Sequence, residues 1–145
     1  MEKFMREALI LAKKAGEKGE IPVGAVIVKD GEIIATGSNS RETEQNAMGH
    51  AEIEAISNAC KKLESWRLDG CELYVTLEPC PMCAGAIINS RLKKVVFGAF
   101  DSKAGACDSV INLFSHNFNH KPEVWAGILE QDCSKVLSDF FKKIR

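Results

Sequence analysis

The sequence predicts one α/β domain over residues 1–145, a three-layer α/β/α sandwich with a central mixed five-stranded sheet. A length of 145 residues with 46% hydrophobic content suits a single core. The periodicity of the apolar residues gives the element order α-β-β-α-β-α-β-(α)-β-α. A tight turn between the first two strands, followed by β-α-β crossovers, predicts a mixed sheet with helices on its faces.

The first half of the chain predicts a helix, a hairpin and a loop. Four apolar residues at helical spacing predict an amphipathic helix that Gly19 caps, and these are Phe4, Ala8, Leu11 and Ala15. Residues 21–28 are apolar and β-branched and predict a strand. Asp30-Gly31 predicts a tight turn, which connects this strand to a return strand over residues 32–37. Residues 38–49 are polar and aperiodic, so we expect a loop that leads to His50.

The second half predicts two helix starts that carry chemically active residues. Helical spacing resumes between His50 and Leu63. After a strand over residues 71–77, Pro81 is expected to begin a helix, because its missing N–H needs no partner there. The remaining predicted elements are a strand over residues 94–98, a loop with a brief helix over 99–122 that forms a wall of the site, a strand over 123–129 and a helix over 133–144.

Charge and cysteine content narrow the classes of partner and compartment. The formal net charge of −1 gives no protein-wide basic field, so a nucleic acid would have to be recognised by a local patch. Six cysteines without an export signal predict a cytoplasmic protein rather than a secreted disulfide scaffold. No apolar run approaches the roughly 20 residues that span a bilayer, so no membrane role is expected.

A His-x-Glu motif and a Pro-Cys-x-x-Cys motif carry the predicted chemistry. His50, Cys80 and Cys83 are ligand types that zinc prefers, and Glu52 is a carboxylate that need not bind the metal. Three protein ligands leave one position of a tetrahedral zinc ion open, which is typical of catalytic sites. The two cysteines lie at a helix start, where the helix dipole favours thiolates. The sequence therefore predicts a catalytic zinc site.

Other interpretations of these residues stay open. Cys-x-x-Cys also occurs in redox motifs and structural zinc sites. A zinc finger would recruit His116 and His120, although the gap from Cys83 far exceeds the usual finger loop of about 12 to 15 residues. Glu52 could be an ordinary acidic residue at a helix start. The residues expected in the core without a chemical task are Cys60, Cys71, Cys107, Cys133, Trp66 and Trp125.

Several runs of sequence carry a resemblance to a known family. His50-Ala51-Glu52 and residues 76–86, Thr-Leu-Glu-Pro-Cys-Pro-Met-Cys-Ala-Gly-Ala, resemble the zinc-dependent nucleobase deaminases. Residues 21–26, 95–101 and 137–141 make nearly the whole chain similar to the bacterial tRNA-specific adenosine deaminase family, in the cytidine/deoxycytidylate deaminase superfamily. The resemblance implies a cytidine-deaminase-like fold and a homodimer with one Zn²⁺ per subunit. It also implies conversion of adenosine-34, at the wobble position of a tRNA anticodon stem-loop, to inosine.

The expected chemistry gives Glu52 the role of a proton shuttle. Zinc lowers the pKa of water from 15.7 to about 7 and so makes a hydroxide nucleophile at neutral pH. Our hypothesis is that Glu52 takes the proton of this water and gives it to N1 of adenine as hydroxide adds at C6. The same carboxyl group then helps to protonate the departing amine.

The resemblance further implies substrate contacts, each with a simpler alternative. Asn39 would hydrogen-bond the base but could be a turn residue, and Asp101 would meet the flanking nucleotides but could be a cap. Val23 and Leu77, with Ala51 of the His-x-Glu motif, would surround the base, although Val23 and Leu77 could equally pack the core. The residues implied in holding the anticodon loop by stacking and phosphate contacts are Phe141, Lys142, Lys143 and Arg145, which could instead form a solvated helix end.

Two rival functions remain at this stage. A deaminase of a free base or nucleoside, of the guanine or cytosine type, would use the same zinc chemistry. A structural zinc module that only binds RNA would need a filled coordination sphere. The residues of the predicted metal site do not separate tRNA from free-base substrates.

Overall fold

The computed structural model describes residues 1–144, so the contact predicted for Arg145 lies outside the described residues. Its helices are α1 (Glu2–Glu17), α2 (Arg41–Glu44), α3 (Ala51–Leu63), α4 (Pro81–Asn89) and α5 (Glu130–Lys143), with a short 3-10 turn at Leu113–Ser115. Its strands are β1 (Gly24–Lys29), β2 (Glu32–Ser38), β3 (Glu72–Leu77), β4 (Lys94–Ala99) and β5 (Glu123–Ala126). None of the helices in this described part combines the length and apolar character needed to cross a bilayer.

The five strands form one mixed sheet in the order β2-β1-β3-β4-β5. β1 pairs antiparallel with both β2 and β3, whereas β3, β4 and β5 run parallel. Helices α3 and α4 pack on one face of the sheet, and α1 and α5 pack on the other. The predicted three-layer α/β/α sandwich with a mixed five-stranded sheet is confirmed.

The hairpin between β1 and β2 forms where the sequence predicts it. Asp30 and Gly31 adopt φ angles of 51° and 79°, the left-handed conformation that a two-residue hairpin turn requires. On the return strand, Gly37 lets β2 lie directly against α3, because a Cβ there would collide with the carbonyl oxygen of Ala51. This close approach fixes the position of the α3 start relative to the sheet.

The region predicted as a structureless loop over residues 38–49 contains the short helix α2. Its first turn is held by the buried carboxylate of Glu20, which accepts hydrogen bonds from the backbone N–H groups of Glu42 and Thr43 and from the Thr43 hydroxyl. These bonds satisfy backbone donors that a helix start leaves unpaired. The partner lies more than twenty residues upstream, so local periodicity did not reveal it.

The expectation that both tryptophans belong to the core is wrong. Trp66 is 60% exposed in the turn after α3, with the guanidinium groups of Arg67 and Arg91 near its ring. Trp125 is 43% exposed on the edge strand β5, with Lys94 near its ring. Among the four other cysteines, Cys60 is half-buried and the other three are buried as expected.

Replacing Glu20 by glutamine should destabilise the fold by about 1 to 3 kcal/mol at pH 7, because an amide cannot accept all the hydrogen bonds that Glu20 accepts. Burial disfavours the charged form, but hydrogen bonds from Thr43 and Glu42 outweigh it and lower the pKa of Glu20 below its ordinary 4.5. The stabilisation is therefore present above pH 4.5 and is lost as the pH falls through the lowered pKa.

Urea unfolding of wild type and Glu20→Gln between pH 7 and pH 3 measures this difference in free energy. Glu17→Gln, which changes an exposed glutamate just upstream, is the matched control and should have little effect at any pH. A destabilisation by Glu20→Gln that is the same across the whole range would contradict the assignment.

Candidate active site

The site lies at one edge of the sheet, where four strands begin or end. Strands β2, β3 and β4 end at this edge and the antiparallel β1 begins there. Residues that flank these strand ends therefore meet, and such an edge is the usual place for a binding site in α/β sheets. The segments brought together contain Val23 before β1, Asn39 after β2, Cys80 after β3 and Asp101 after β4.

The start of α3 presents His50 and Glu52 to the same place. His50 is the N-cap residue, with an extended backbone at φ −95° and ψ 149°, and Glu52 lies in the first helical turn. Two residues inside a helix would point in nearly opposite directions. Because His50 is still outside the helix, its ring and the Glu52 carboxyl can approach one site from different sides.

The start of α4 repeats this arrangement with cysteines. Cys80 is the extended N-cap residue, Pro81 is the first helical residue as predicted, and Cys83 lies in the first turn. Cys83 is buried and Cys80 is partly exposed. The two thiols therefore lie at a helix N-terminus, where the positive end of the helix dipole favours the thiolate form.

The three side chains form a cluster that could hold a metal ion. Their donor atoms lie within 4.8 Å of one another, and His50 Nδ1 is 3.6 Å from both Cys80 Sγ and Cys83 Sγ. A tetrahedral zinc ion with bonds of about 2.05 Å to nitrogen and about 2.3 Å to sulfur separates these ligands by about 3.6 Å. The spacing and the donor types therefore fit zinc.

The two cysteine thiols of the cluster differ in their pKa. Hydrogen bonds from the Cys83 thiol and from His50 lower the pKa of Cys80 to about 4. The pKa of Cys83 is raised because its thiol is hydrogen-bonded to Cys80 and is buried. Cys80 is thus held as a thiolate, the form that binds metal.

Glu52 is close to this cluster but is not one of its members. Its side chain is buried, with 4% of the residue exposed, and burial raises the pKa of its carboxyl group to about 7, with a further contribution from the nearby Cys80. A carboxyl group with this pKa can both accept and release a proton at neutral pH, which suits a general acid–base role.

A cavity of about 200 Å³ opens beside these residues. Among the residues predicted for the site, those that line it are Val23, Asn39, His50, Ala51, Glu52, Leu77, Cys80 and Asp101. Cys83 is buried behind the cavity, and Phe141 lies outside it, in an open groove with Lys103, Ser138, Lys142 and Ile144. The cavity lining that the sequence did not single out consists of Ile21, Arg41, Glu78 and Ala104.

Asn39 and Asp101 also hold the local backbone. Asn39 Nδ2 donates to the carbonyl of Ile21 at 3.1 Å, and its Oδ1 accepts from the N–H of Arg41 at 3.4 Å. An amide group has two N–H donors and two lone pairs, so one of each remains for a ligand. Asp101 Oδ1 accepts from the N–H groups of Lys103 and Ala104. The structural alternatives noted for both residues are thus present, and their contacts with substrate stay predictions.

The whole chain is similar to proteins of one deaminase family. A family model described as MafB19-like deaminase matches residues 1–145. A tRNA-specific adenosine deaminase from Bacillus subtilis is 57% identical over 145 residues, which cover 99% of this chain and 90% of that protein. The chain belongs to the tRNA-specific adenosine deaminase family.

Solved structures extend the comparison to the fold. A structure from a study of A-to-I editing by tRNA:A34 deaminases at the wobble position of transfer RNA matches with 43% identity and a TM-score of 0.92, over 94% of this chain and 100% of that chain. Guanine deaminase from Nitrosomonas europaea matches with 26% identity and a TM-score of 0.85, over 96% of this chain and 83% of that chain. The fold of the tRNA-specific adenosine deaminase family is therefore also used by an enzyme named for a free base.

In this member of the tRNA-specific adenosine deaminase family, Cys83→Ala should abolish metal binding. The change leaves two of the three donors, too few to hold zinc tightly. Metal analysis of the purified protein after dialysis measures the loss. Cys107→Ala is the matched control, since Cys107 is also buried but is not among the three donors. Retention of the metal by Cys83→Ala, or its loss from Cys107→Ala, would show that the ligands are assigned wrongly.

Proposed function

We propose that this chain is a zinc-dependent hydrolytic deaminase that converts adenosine-34, at the wobble position of a tRNA anticodon, to inosine. The observation that carries the proposal is a cluster of three side chains that could hold a metal ion, next to a cavity that two of them line together with the buried carboxyl group of Glu52. A relative named tRNA-specific adenosine deaminase that is 57% identical over nearly the whole chain supports the choice of substrate.

His50, Cys80 and Cys83 would hold one zinc ion per subunit. Zinc bound by these three residues supplies, at neutral pH, the hydroxide nucleophile that hydrolytic deamination needs. The cluster contributes three donors, so a tetrahedral ion held there would keep one position for water. A structural zinc module would instead need a fourth protein ligand, and the donor cluster in the described chain contains three.

Glu52 moves the protons of the reaction. It accepts a proton from the attacking water and delivers it to N1 of adenine while the C6–O bond forms. It then takes the remaining proton of the new C6 hydroxyl and gives it to the amine at C6, so that the C6–N bond breaks, ammonia leaves and the C6 oxygen becomes the carbonyl of inosine. Its burial beside the candidate metal donors, on the wall of the cavity, supports this role.

The remaining cavity walls orient the base. Val23 and Leu77 provide apolar surface on two sides, and Ala51 is small enough to leave room beside the metal donors. Asn39 offers the donor and acceptor capacity that its backbone contacts leave free, which suits a purine edge. Asp101, after β4, is proposed to contact the nucleotides that flank the target.

The anticodon stem-loop is proposed to extend from the cavity toward the end of α5. Phe141 and Lys142 line an open groove of about 580 Å³ together with Lys103, which follows the cavity residue Asp101 by two positions. Phe141 is 40% exposed and so is available to stack on a base. The two lysines provide the positive charge that phosphate contacts require.

A homodimer in the cytoplasm completes the proposal. The apolar run from Ala84 to Ile88 does not form a broad dimer surface, because Ala84, Ile87 and Ile88 pack in the core of the subunit. The partly exposed residues of α4 are Met82, Gly85 and Ala86, which restricts what this helix can offer to a partner. A tRNA substrate is consistent with a cytoplasmic location.

The zinc-loaded protein should release ammonia from tRNA that carries adenosine-34 and should produce inosine at that position. We expect little or no product from free adenine, guanine, cytosine or cytidine, because free bases make no contacts outside the cavity. Nucleoside analysis of digested tRNA and an ammonia assay measure both outcomes. A tRNA with guanosine-34 is the matched control. Activity confined to free bases would replace this proposal by the guanine-deaminase type of function that the Nitrosomonas europaea relative represents.

Glu52→Gln should lower kcat by at least about 10³-fold while zinc remains bound, because the amide cannot transfer protons. Single-turnover rates and metal content measure the two effects separately. Glu54→Gln is the matched control, since Glu54 lies in the same helical turn and does not line the cavity. Loss of zinc from Glu52→Gln would instead make Glu52 part of the metal site.

A further inference from the structure

A second buried carboxylate, outside the chemistry described above, lies between β3 and the metal-binding start of α4. Glu78 follows the last residue of β3 and precedes Pro79-Cys80, and only 2% of its surface is exposed. Its side chain is directed into the segment after β4 that we call the 101–109 loop. No ion pair within residues 1–144 involves Glu78.

The Glu78 carboxylate collects five hydrogen bonds from the two ends of this loop. Oε1 accepts from the N–H of Asp101 at 3.0 Å and from the Ser109 hydroxyl. Oε2 accepts from the N–H groups of Cys107, Asp108 and Ser109 at 3.1, 2.9 and 2.9 Å. A carboxylate offers about four lone-pair sites, so Glu78 has no capacity left to bind a substrate.

The loop is shaped around this carboxylate. A Cβ at Gly105 would collide with the carboxyl carbon and both oxygens of Glu78, so the residue at position 105 must lack a side chain. Backbone bonds continue the attachment, because Glu78 N–H donates to the carbonyl of Ala99 and Ala106 N–H donates to that of Pro79. The loop is thus fixed to the segment that leads directly to Cys80.

The surroundings of the Glu78 side chain favour a carboxylate over a neutral amide. Four backbone N–H groups and one hydroxyl donate to its two oxygens, so both oxygens face hydrogen-bond donors. A neutral amide of the same shape could accept at fewer positions and would direct its NH₂ group at backbone N–H donors. An ionised carboxylate is therefore the side chain that holds this loop.

The loop in turn forms one wall of the cavity. Asp101 and Ala104 line the cavity opposite the residues that precede β1. Asp101 Oδ1 accepts from the Ala104 N–H, so the two wall residues are linked by a hydrogen bond. Glu78 holds the backbone N–H of Asp101 directly. Glu78 itself lines the cavity, so a change there would alter the wall both directly and through its hydrogen bond to Asp101, without changing His50 or Glu52.

We propose that Glu78 is a positioning residue of the deamination site, which holds the 101–109 loop in the shape that recognises the substrate. This inference rests on the function proposed above. Because Glu78 acts on the wall and not on the metal or the proton shuttle, its loss should raise KM for the tRNA and leave zinc binding intact.

The test compares zinc-loaded wild type, Glu78→Gln and Ser109→Ala with tRNA carrying adenosine-34. For Glu78→Gln we expect KM to rise by about tenfold or more, with a smaller fall in kcat and unchanged zinc content. Ser109→Ala removes one of the five donors and should raise KM by a few-fold in the same direction. Glu72→Gln is the matched control, since it changes a partly buried glutamate at the other end of β3 and should leave KM unchanged.

Amide hydrogen exchange of the zinc-loaded proteins provides a readout without substrate. The N–H groups of Asp101, Cys107, Asp108 and Ser109 should exchange faster in Glu78→Gln, and those of β3 should not. If wild type fails to deaminate tRNA, the proposed function falls while this measurement still tests whether Glu78 holds the loop.

Three results would overturn the proposal. The first is unchanged KM and unchanged exchange in Glu78→Gln, and the second is loss of zinc together with activity, which would make Glu78 a support of the metal site. The third is a fall in kcat at constant KM, which would assign Glu78 to the chemical step. If Glu78→Gln does not fold, Ser109→Ala decides, and wild-type KM in that variant would count against the proposal.

Discussion

The meeting of two helix starts is the constraint on which the rest of the structure depends. His50 and Cys80 are thirty residues apart in the sequence, yet their donor atoms are 3.6 Å apart. This requires α3 and α4 to begin at the same edge of the sheet, and they do because β2 and β3 both end there. The helices must also lie close to the strands. Gly37 permits this approach, and the buried face of α3 consists largely of small residues, Ala51, Ala55 and Ala59.

Much of this arrangement was predictable from local sequence, and the remainder depends on distant partners. Local sequence signals predict the hairpin turn at Asp30-Gly31, the helix after His50 and the helix that begins at Pro81. Each of these elements is present in the structure. The helix α2 was missed because Glu20, which caps it, lies outside any window that periodicity samples.

The exposure of the two tryptophans was missed for a related reason. Their hydrophobicity favours burial, but their positions in a turn and on an edge strand became apparent only from the three-dimensional arrangement. Glu52 illustrates the opposite case, since ligand counting separated it from the metal before its burial was known. The sequence also places His50 and Glu52 at a helix start, from which both can approach one site, and His50 precedes the helix as its N-cap.

Three buried glutamates in and around the site differ in pKa, because they accept different numbers of hydrogen bonds. Glu20 and Glu78 accept bonds from converging backbone N–H groups, which lower their pKa and keep them charged. Glu52 is equally buried, but burial dominates and raises its pKa to about 7. The same residue type is thus held as an anion where backbone N–H groups surround it, and has a pKa near neutrality where they do not, which suits the proton transfer proposed for Glu52. The two fixed anions hold the segments after β2 and β4, and these segments contribute to the cavity beside Glu52.

The separation of the reacting groups from the segments that Glu20 and Glu78 hold also explains how one fold can bind substrates of different size. In the proposed mechanism, the two helix starts provide the three candidate metal donors and the carboxyl group that transfers protons, and these groups would act on the reacting ring whatever is attached to it. The segments after β2 and β4 carry Arg41 in the cavity wall and Lys103 in the adjoining groove. A free base presents only ring edges, whereas a polynucleotide also presents phosphates that attract such cations. Cations placed beyond the cavity add affinity only for a substrate that extends out of it. Under the proposed function, the choice of substrate would therefore depend on the two segments that Glu20 and Glu78 hold, and not on the sheet.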